Sequence, residues 1–177
     1  ARLFAGKVGG ALALDAACAG RDLDAFVLFS SVAATWGSGG QAGYAAANAA
    51  LDGLAADRHA RGEVATSVAW GPWADTGMIT GAGVAEHLGR RGLRPMDPAG
   101  ALDALAAVVG GPDPTPVVAD VDWARFVVGY TAAGHRPLLD ALPEPNASSA
   151  RAAARVRARP RTPPRRAPRG RPTRPTR

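Results

Sequence analysis

Residues 26–54 constrain the fold more than any other stretch of this 177-residue chain. The stretch opens with an apolar run, residues 26–29, which is typical of a strand buried on both faces. Two serines end the run, and a glycine-rich loop follows at residues 37–40. An alanine-rich helix is then predicted from Gln41 to about Arg61. Open α/β sheets bind ligands where such strands end, at their carboxyl edge.

Elsewhere the chain alternates between helical and strand patterns. Apolar periodicity and the placement of Gly and Pro predict helices over residues 2–17, 41–61, 84–90 and 98–109, a last turn over 122–126, and strands over 26–31, 64–70 and 116–121. Residues 32–41 are predicted as a loop. Strands that alternate with helices pair in parallel through right-handed crossovers. Three strands are predicted here, whereas a doubly wound sheet has about six. We therefore predict an α/β fold, the C-terminal half of a Rossmann-like doubly wound parallel sheet.

The composition changes near residue 145. Residues 151–177 hold 11 of the 21 basic residues and no acidic one, which leaves 10 basic and all 15 acidic residues for the preceding part. The tail has too few apolar residues to offset the entropy of ordering it. We therefore predict a folded domain over 1–145 and a disordered Arg/Pro-rich tail over 146–177.

Three interpretations of the tail remain open. Its arginines suit non-specific binding of nucleic acid by counterion release. Its prolines suit a stiff linker between domains. Its composition also suits out-of-frame translation of a G+C-rich gene. The abrupt loss of apolar residues favours the third interpretation, so nucleic acid is not the partner that we expect.

Other features restrict the function class. Cys18 is the only cysteine, which excludes an internal disulfide and fits a reducing, cytoplasmic compartment. No apolar run is long enough to span a membrane, and no secretion signal is visible. The histidines, His59, His87 and His135, lie far apart without ligand spacing, so we predict no metal site.

The predicted helix carries two candidate site residues, Tyr44 and Asn48. They lie four residues apart and therefore share one face of the helix. Ser31 ends the strand before it, and Lys7 is the only lysine of the chain. Each residue alone is also an ordinary part of a helix or a strand end. The prediction of a site rests on their combination.

The segments FSS, WGSGGQ and YAAAN, in this order, resemble the ketoreductase domain of modular polyketide synthases, within the short-chain dehydrogenase/reductases. Upstream, AGKVGGALALD resembles the segment with the catalytic lysine of that family. Downstream, VAWGPWADTGM resembles its strand and the start of its substrate lid. The resemblance extends over about residues 1–145, which are therefore expected to form a partial ketoreductase domain.

The resemblance implies NADPH-dependent reduction of a β-ketoacyl thioester that is linked by phosphopantetheine to an acyl carrier protein of a larger synthase. Tyr44 would donate the proton, and Ser31 would hydrogen-bond the substrate carbonyl. Lys7 would favour the ionised phenol by its charge. Asn48 stands where ordinary members of the superfamily have lysine, and it would position water or Lys7.

The resemblance also implies binding residues. Lys7, Tyr44 and Pro72 would bind the cofactor, with Pro72 beside the nicotinamide. Trp36, Gln41, Trp73 and Met78 would contact the substrate.

In this family a tryptophan at position 36 resembles the marker of A-type enzymes, which form an L-β-hydroxyl product. Gln41 replaces the histidine of epimerising members, so no epimerisation is expected. The alternative is that Trp36 and Trp73 only pack under loops.

The family's glycine-rich turn for the cofactor pyrophosphate does not precede Lys7 in this sequence. We therefore expect a catalytic half that shows no turnover by itself. The alternative is a non-catalytic remnant, or a binding module whose basic tail contacts nucleic acid.

Overall fold

The computed structural model describes residues 4–74 and 82–143. A π-helical turn, Ala5–Gly9, leads into the first α-helix. The α-helices are α1 Gly10–Ala17, α2 Val32–Trp36, α3 Ala42–Ala60, α4 Ala82–Arg90, α5 Pro98–Val108 and α6 Trp123–Tyr130. A short 3-10 helix, Pro137–Leu139, follows them.

Three strands form a parallel sheet. They are β1 Val27–Ser31, β2 Thr66–Trp70 and β4 Val117–Val118, in the order β1-β2-β4. Phe29 pairs with Val68, and Ser31 pairs with Trp70. Two short strands, β3 Leu93–Arg94 and β5 Asp120–Val121, form a separate antiparallel pair. The parallel sheet between helices confirms the predicted α/β, Rossmann-like class.

The two faces of the sheet have separate apolar clusters, which fixes where each helix lies. Leu28 of β1 packs with Leu51 and Ala55 of α3 and with Ala11 of α1. On the other face the cluster contains residues of β2 and α5. All five residues of β2 are buried, as expected for the central strand of a sheet covered on both faces.

Tertiary contacts change four details of the predicted fold. Residues 32–41 are not all loop, because Ser31 caps the short helix α2 by accepting a hydrogen bond from the Ala33 amide. The strand predicted over 116–121 is divided between the two sheets. The side chain of Phe29 is 49 % exposed, so the prediction that β1 is buried on both faces was wrong. The helix predicted to end near residue 126 extends to Tyr130.

Two predicted features lie outside the described residues. They are the tail, 146–177, and the part of the lid that contains Met78. Within residues 4–74 and 82–143, no helix combines the length and apolar character of a membrane span. In the same ranges, His, Cys, Asp and Glu do not gather in groups of three or more that could hold a metal ion.

Candidate functional site

Lys7 reaches the sheet from the π-helical turn that begins the described chain. Its Nζ donates one hydrogen bond to Oδ1 of Asn48 and one to the main-chain oxygen of Phe29, both at 2.6 Å. The ammonium group therefore joins three elements, the π-helical turn, β1 and α3. A π-helical turn is uncommon and often marks a functional position in a helix.

Asn48 orients the site from the middle of α3. Its side chain is fully buried, and its Nδ2 donates to the main-chain oxygen of Tyr44 at 2.8 Å. With Oδ1 accepting from Lys7, both ends of the amide have partners, which fixes its orientation. The ring of Tyr44 lies one turn earlier, with its centroid 5.9 Å from the Lys7 Nζ. The predicted sharing of one helix face thus brings the phenol and the amide to the same ammonium group.

The two serines at the end of β1 have different environments. Ser30 is buried, and its hydroxyl donates to the main-chain oxygen of Asn48 at 3.2 Å, which ties α3 to the strand. Ser31 is half-buried at the carboxyl end of the strand. Its oxygen accepts from the Ala33 amide at 3.2 Å and retains a hydroxyl proton that can be donated. Ser31 is therefore the serine able to donate to a bound carbonyl.

Burial and one carboxylate act on the pKa of Lys7 in opposite directions. Loss of water around the ammonium group lowers the pKa of Lys7 from its ordinary value of 10.5, and the carboxylate of Asp52 acts in the opposite direction. Asp52 lies one turn after Asn48 on α3 and accepts a hydrogen bond from Ser67. It is the charged group of the site that the sequence patterns above do not include.

The predicted substrate residues before Tyr44 have protein partners. The ring of Trp36 packs against Phe126 of α6, with centroids 5.1 Å apart. Gln41 precedes the first residue of α3 and accepts a hydrogen bond from the Ser38 hydroxyl at 2.9 Å. The Gln41 side chain is exposed, whereas that of Trp36 is half-buried. These contacts anchor the loop that leads from α2 to α3.

Pro72 and Trp73 follow β2 on the opposite face from α3. The Trp73 ring lies 4.9 Å from that of Trp70 in an edge-on arrangement and 6.5 Å from Phe29. The oxygen of Pro72 accepts from the Met96 amide at 2.8 Å, which holds this segment beside α5. The start of the predicted lid is thus fixed, and Met78 lies outside the described residues.

Direct contacts therefore unite Lys7, Asn48 and Tyr44, and Ser31 lies two residues beyond the carbonyl that Lys7 binds. The functional roles of these residues stay predictions, as do those of Trp36, Gln41, Pro72 and Trp73. Sequence reasoning missed Asp52, although its spacing of four from Asn48 repeats the spacing of Asn48 from Tyr44.

A separate cleft opens at the amino ends of the strands, lined by Asp24, Phe26, His59, Glu63 and Thr66 among others. It lies at the edge of the sheet opposite to Ser31. The charged and polar groups described above do not line it, so it is not the candidate site.

Comparisons with known proteins agree on one family. The KR domain profile matches residues 1–75. The chain is 54 % identical over 144 residues to the pikromycin polyketide synthase component PikAIII of Streptomyces venezuelae, covering 81 % of the chain and 9 % of that protein. It is 52 % identical over 148 residues to the erythronolide synthase EryA3 of Saccharopolyspora erythraea, covering 84 % of the chain and 4 % of that protein.

Solved structures give the same result. The structure of A-type ketoreductases from a modular polyketide synthase matches with a TM-score of 0.76 and 45 % identity, over 80 % of this chain and 30 % of that one. The first ketoreductase of the tylosin polyketide synthase matches with a TM-score of 0.72 and 53 % identity, over 80 % of this chain and 31 % of that one. The chain thus spans about a third of each of these solved chains, and it belongs to the ketoreductase domain family of modular polyketide synthases.

Proposed function

We propose that this site reduces a β-ketoacyl thioester to an L-β-hydroxyacyl thioester with NADPH, without epimerisation. The observation that carries the proposal is the position of the Lys7 ammonium, 2.6 Å from Asn48 Oδ1 and 5.9 Å from the centre of the Tyr44 ring. A proton donor beside a fixed positive charge, at the carboxyl end of a parallel sheet, suits reduction of a carbonyl.

The side chains divide the work in the proposed reaction. Tyr44 gives its phenolic proton to the carbonyl oxygen as that oxygen gains negative charge. Ser31 donates a hydrogen bond to the same oxygen and stabilises the charge. Lys7 favours the phenolate that remains on Tyr44 by Coulomb attraction. Asn48 holds Lys7 in place through its buried amide.

The residues present suit the nicotinamide end of the cofactor, which supplies the hydride when bound. Lys7 uses two of its three N–H donors within the described protein, so one donor is left for a ribose hydroxyl. Pro72, just past β2, lies beside the same edge of the sheet. Lys7, Tyr44 and Pro72 are therefore the residues that we propose for cofactor binding.

The relatives support the proposed substrate class and partner. PikAIII is by name a component of the pikromycin polyketide synthase. The matched tylosin structure is by title the first ketoreductase of the tylosin polyketide synthase. We propose that the thioester reaches the site on the phosphopantetheine arm of an acyl carrier protein. The A-type product is supported by Trp36, the last residue of α2, between Ser31 and Tyr44.

We also propose that the 177-residue chain shows no turnover alone. Its described parallel sheet has three strands, about half the number in a doubly wound nucleotide-binding sheet. The chain covers 31 % of the tylosin ketoreductase chain. In a chimera, the tylosin ketoreductase can supply the remaining part of the domain.

A chimera tests the function. The matched part of this chain replaces the equivalent segment of the tylosin ketoreductase, and consumption of NADPH is followed with a simple β-ketothioester. We expect turnover by the chimera and none by the isolated chain. The Tyr44→Phe chimera should be slower by about 10²-fold or more, since a positioned general acid contributes about 10²–10⁴-fold. A folded Tyr44→Phe chimera as active as the unsubstituted one would reject the proposal, and so would a folded but inactive chimera.

A further inference from the structure

Asp52 is a carboxylate placed between helix and sheet, partly shielded from bulk water. It follows Asn48 by one turn of α3 and points to β2, where the hydroxyl of Ser67 donates to its Oδ1 at 2.7 Å. Ser67 is fully buried in the central strand. A carboxylate that accepts from a buried hydroxyl has a fixed position, because its partner cannot move without unpacking the strand.

The ammonium group of Lys7 contacts the same helix, α3, and the strand β1 that pairs with β2. Lys7 donates to the oxygen of Phe29, and Phe29 pairs with Val68, the neighbour of Ser67 on β2. Lys7 also donates to Asn48, one turn before Asp52. Asp52 therefore lies one helical turn from the Asn48 amide that binds Lys7. Its partner Ser67 is next to Val68, the residue that pairs with Phe29.

Asp52 supplies a negative charge that acts on the positive charge of Lys7 at this interface. Within the described residues, the carboxylate of Asp52 acts on Lys7 from α3, the ring of Tyr44 on the same helix has its centroid 5.9 Å from the Nζ, and β1 contributes the Phe29 carbonyl. The carbonyl carries no net charge, so among these groups Asp52 supplies the charge opposite to that of the ammonium group. Burial lowers the pKa of Lys7 and Asp52 raises it, so the carboxylate opposes loss of the proton.

We propose that Asp52 is a positioning residue for Lys7: its carboxylate, held by Ser67, keeps the ammonium group charged between Asn48 and the Phe29 carbonyl. The inference rests on the proposed function only in that a charged Lys7 acts on Tyr44. If Asp52 were merely a structural partner of Ser67, its replacement would alter stability and leave the charge of Lys7 unchanged.

The test uses the single lysine of the chain. Lysine labelled with ¹³C at Cε gives one signal from the 177-residue protein, and its chemical shift against pH reports the titration of Lys7. Asp52→Asn keeps the shape of the side chain and removes its charge. We expect the titration of Lys7 to move to lower pH. Asp57→Asn is the matched control, since Asp57 lies on the same helix with its side chain 62 % exposed and paired with Arg61. It should leave the titration in place.

Two outcomes overturn the inference: an unchanged Lys7 titration in folded Asp52→Asn, or an equal shift in Asp57→Asn. If Asp52→Asn does not fold by circular dichroism, Ser67→Ala decides the question. Removal of that hydroxyl releases the carboxylate, so the Lys7 titration should again move to lower pH, and an unchanged titration rejects the inference. The measurement needs neither cofactor nor turnover. An inactive chimera therefore rejects the proposed function without touching this result, and the reverse also holds.

Discussion

The Nζ of Lys7 and the Oδ1 of Asn48 lie 2.6 Å apart, although 41 positions of sequence separate the two residues. The contact joins the π-helical turn to the middle of α3 across the end of β1. It holds a charged group in a half-buried place, where the same group also donates to the Phe29 carbonyl. The position of the ammonium group therefore depends on the buried amide of Asn48 together with the Phe29 carbonyl.

Replacement of that amide should destabilise the fold. Asn48→Ala removes the acceptor for Lys7 and the donor to the Tyr44 oxygen, both inside the protein. A hydrogen bond to a charged group contributes about 1.5–3 kcal/mol, so we expect a loss of about 2 kcal/mol in the free energy of unfolding. Urea denaturation measures it. Asp57→Ala, on the exposed side of the same helix, is the control and should change little. Equal effects of the two variants would contradict the assigned role of Asn48.

Lys7 should make the free energy of unfolding depend on pH in the alkaline range. Burial places its pKa in the folded protein below the ordinary value of 10.5. Between these two values the unfolded chain binds a proton that the folded chain does not, so stability rises with pH through this window. The gain is complete above 10.5 and is lost as the pH falls through the folded pKa. Lys7→Met should lack this component while every other titration is shared. Parallel plots of unfolding free energy against pH for the two proteins would refute the shift.

Arg58 should be important for stability although it is remote from the chemistry. Its side chain is 3 % exposed and contacts Asp15 of α1, Glu63 at 3.3 Å and the ring of Phe26 at 4.2 Å. Breaking a buried pair costs about 3–5 kcal/mol, and Asp15 keeps a second contact with Arg61. We therefore expect Arg58→Met to lower the free energy of unfolding by about 2 kcal/mol.

A double-mutant cycle separates the ion pair from packing. Asp15→Asn combined with Arg58→Met should cost less than the sum of the two single changes, because the double variant buries no unpaired charge. Simple additivity would mean that Arg58 acts through its contact with Phe26 and not through Asp15.

Local patterns predicted the elements that carry the site and not the contacts between them. The spacing of Tyr44 and Asn48 placed both on one face of α3. The position of Pro98 predicted the start of α5, which begins at that residue with Asp97 as its cap. The division of the last strand was not predictable. After Val118 pairs with Trp70, the chain turns to pair Val121 with Leu93, and that choice depends on a segment much earlier in the chain.

Longer-range features had no local signal either. The short helix α2 exists because Ser31 caps it, in a stretch whose glycines predict a loop. The pairing of Asp15 with Arg58 spans 43 positions, and the exposure of Phe29 depends on which strands flank β1. Each of these is decided by tertiary packing, which periodicity in one segment does not encode.

The two serines of β1 should separate stability from turnover. Ser31→Ala in the chimera should lower the turnover rate by about 10²-fold or more, as expected on loss of one donor to a developing oxyanion. Ser30→Ala removes the hydrogen bond to the Asn48 main-chain oxygen, so it should lower the unfolding temperature. Its turnover rate should fall less than that of Ser31→Ala. Kinetics and thermal unfolding of both variants provide the comparison. If Ser30→Ala were the slower enzyme, the roles of the two hydroxyls would be reversed.

Trp36 should act on stereochemistry through its packing on α6. Its ring lies 5.1 Å from Phe126, which in turn stacks on Tyr130 with centroids 5.2 Å apart. Trp36→Ala in the chimera should reduce the excess of the L-β-hydroxy product, measured by chiral chromatography of the released acid. Phe126→Leu keeps Trp36 but removes the ring against which it packs, so it should lower the excess in the same direction. Val128→Ala, at a residue 71 % exposed on the same helix, is the matched control and should leave the product unchanged. A product of unaltered configuration from a folded Trp36→Ala chimera would limit Trp36 to packing of the loop.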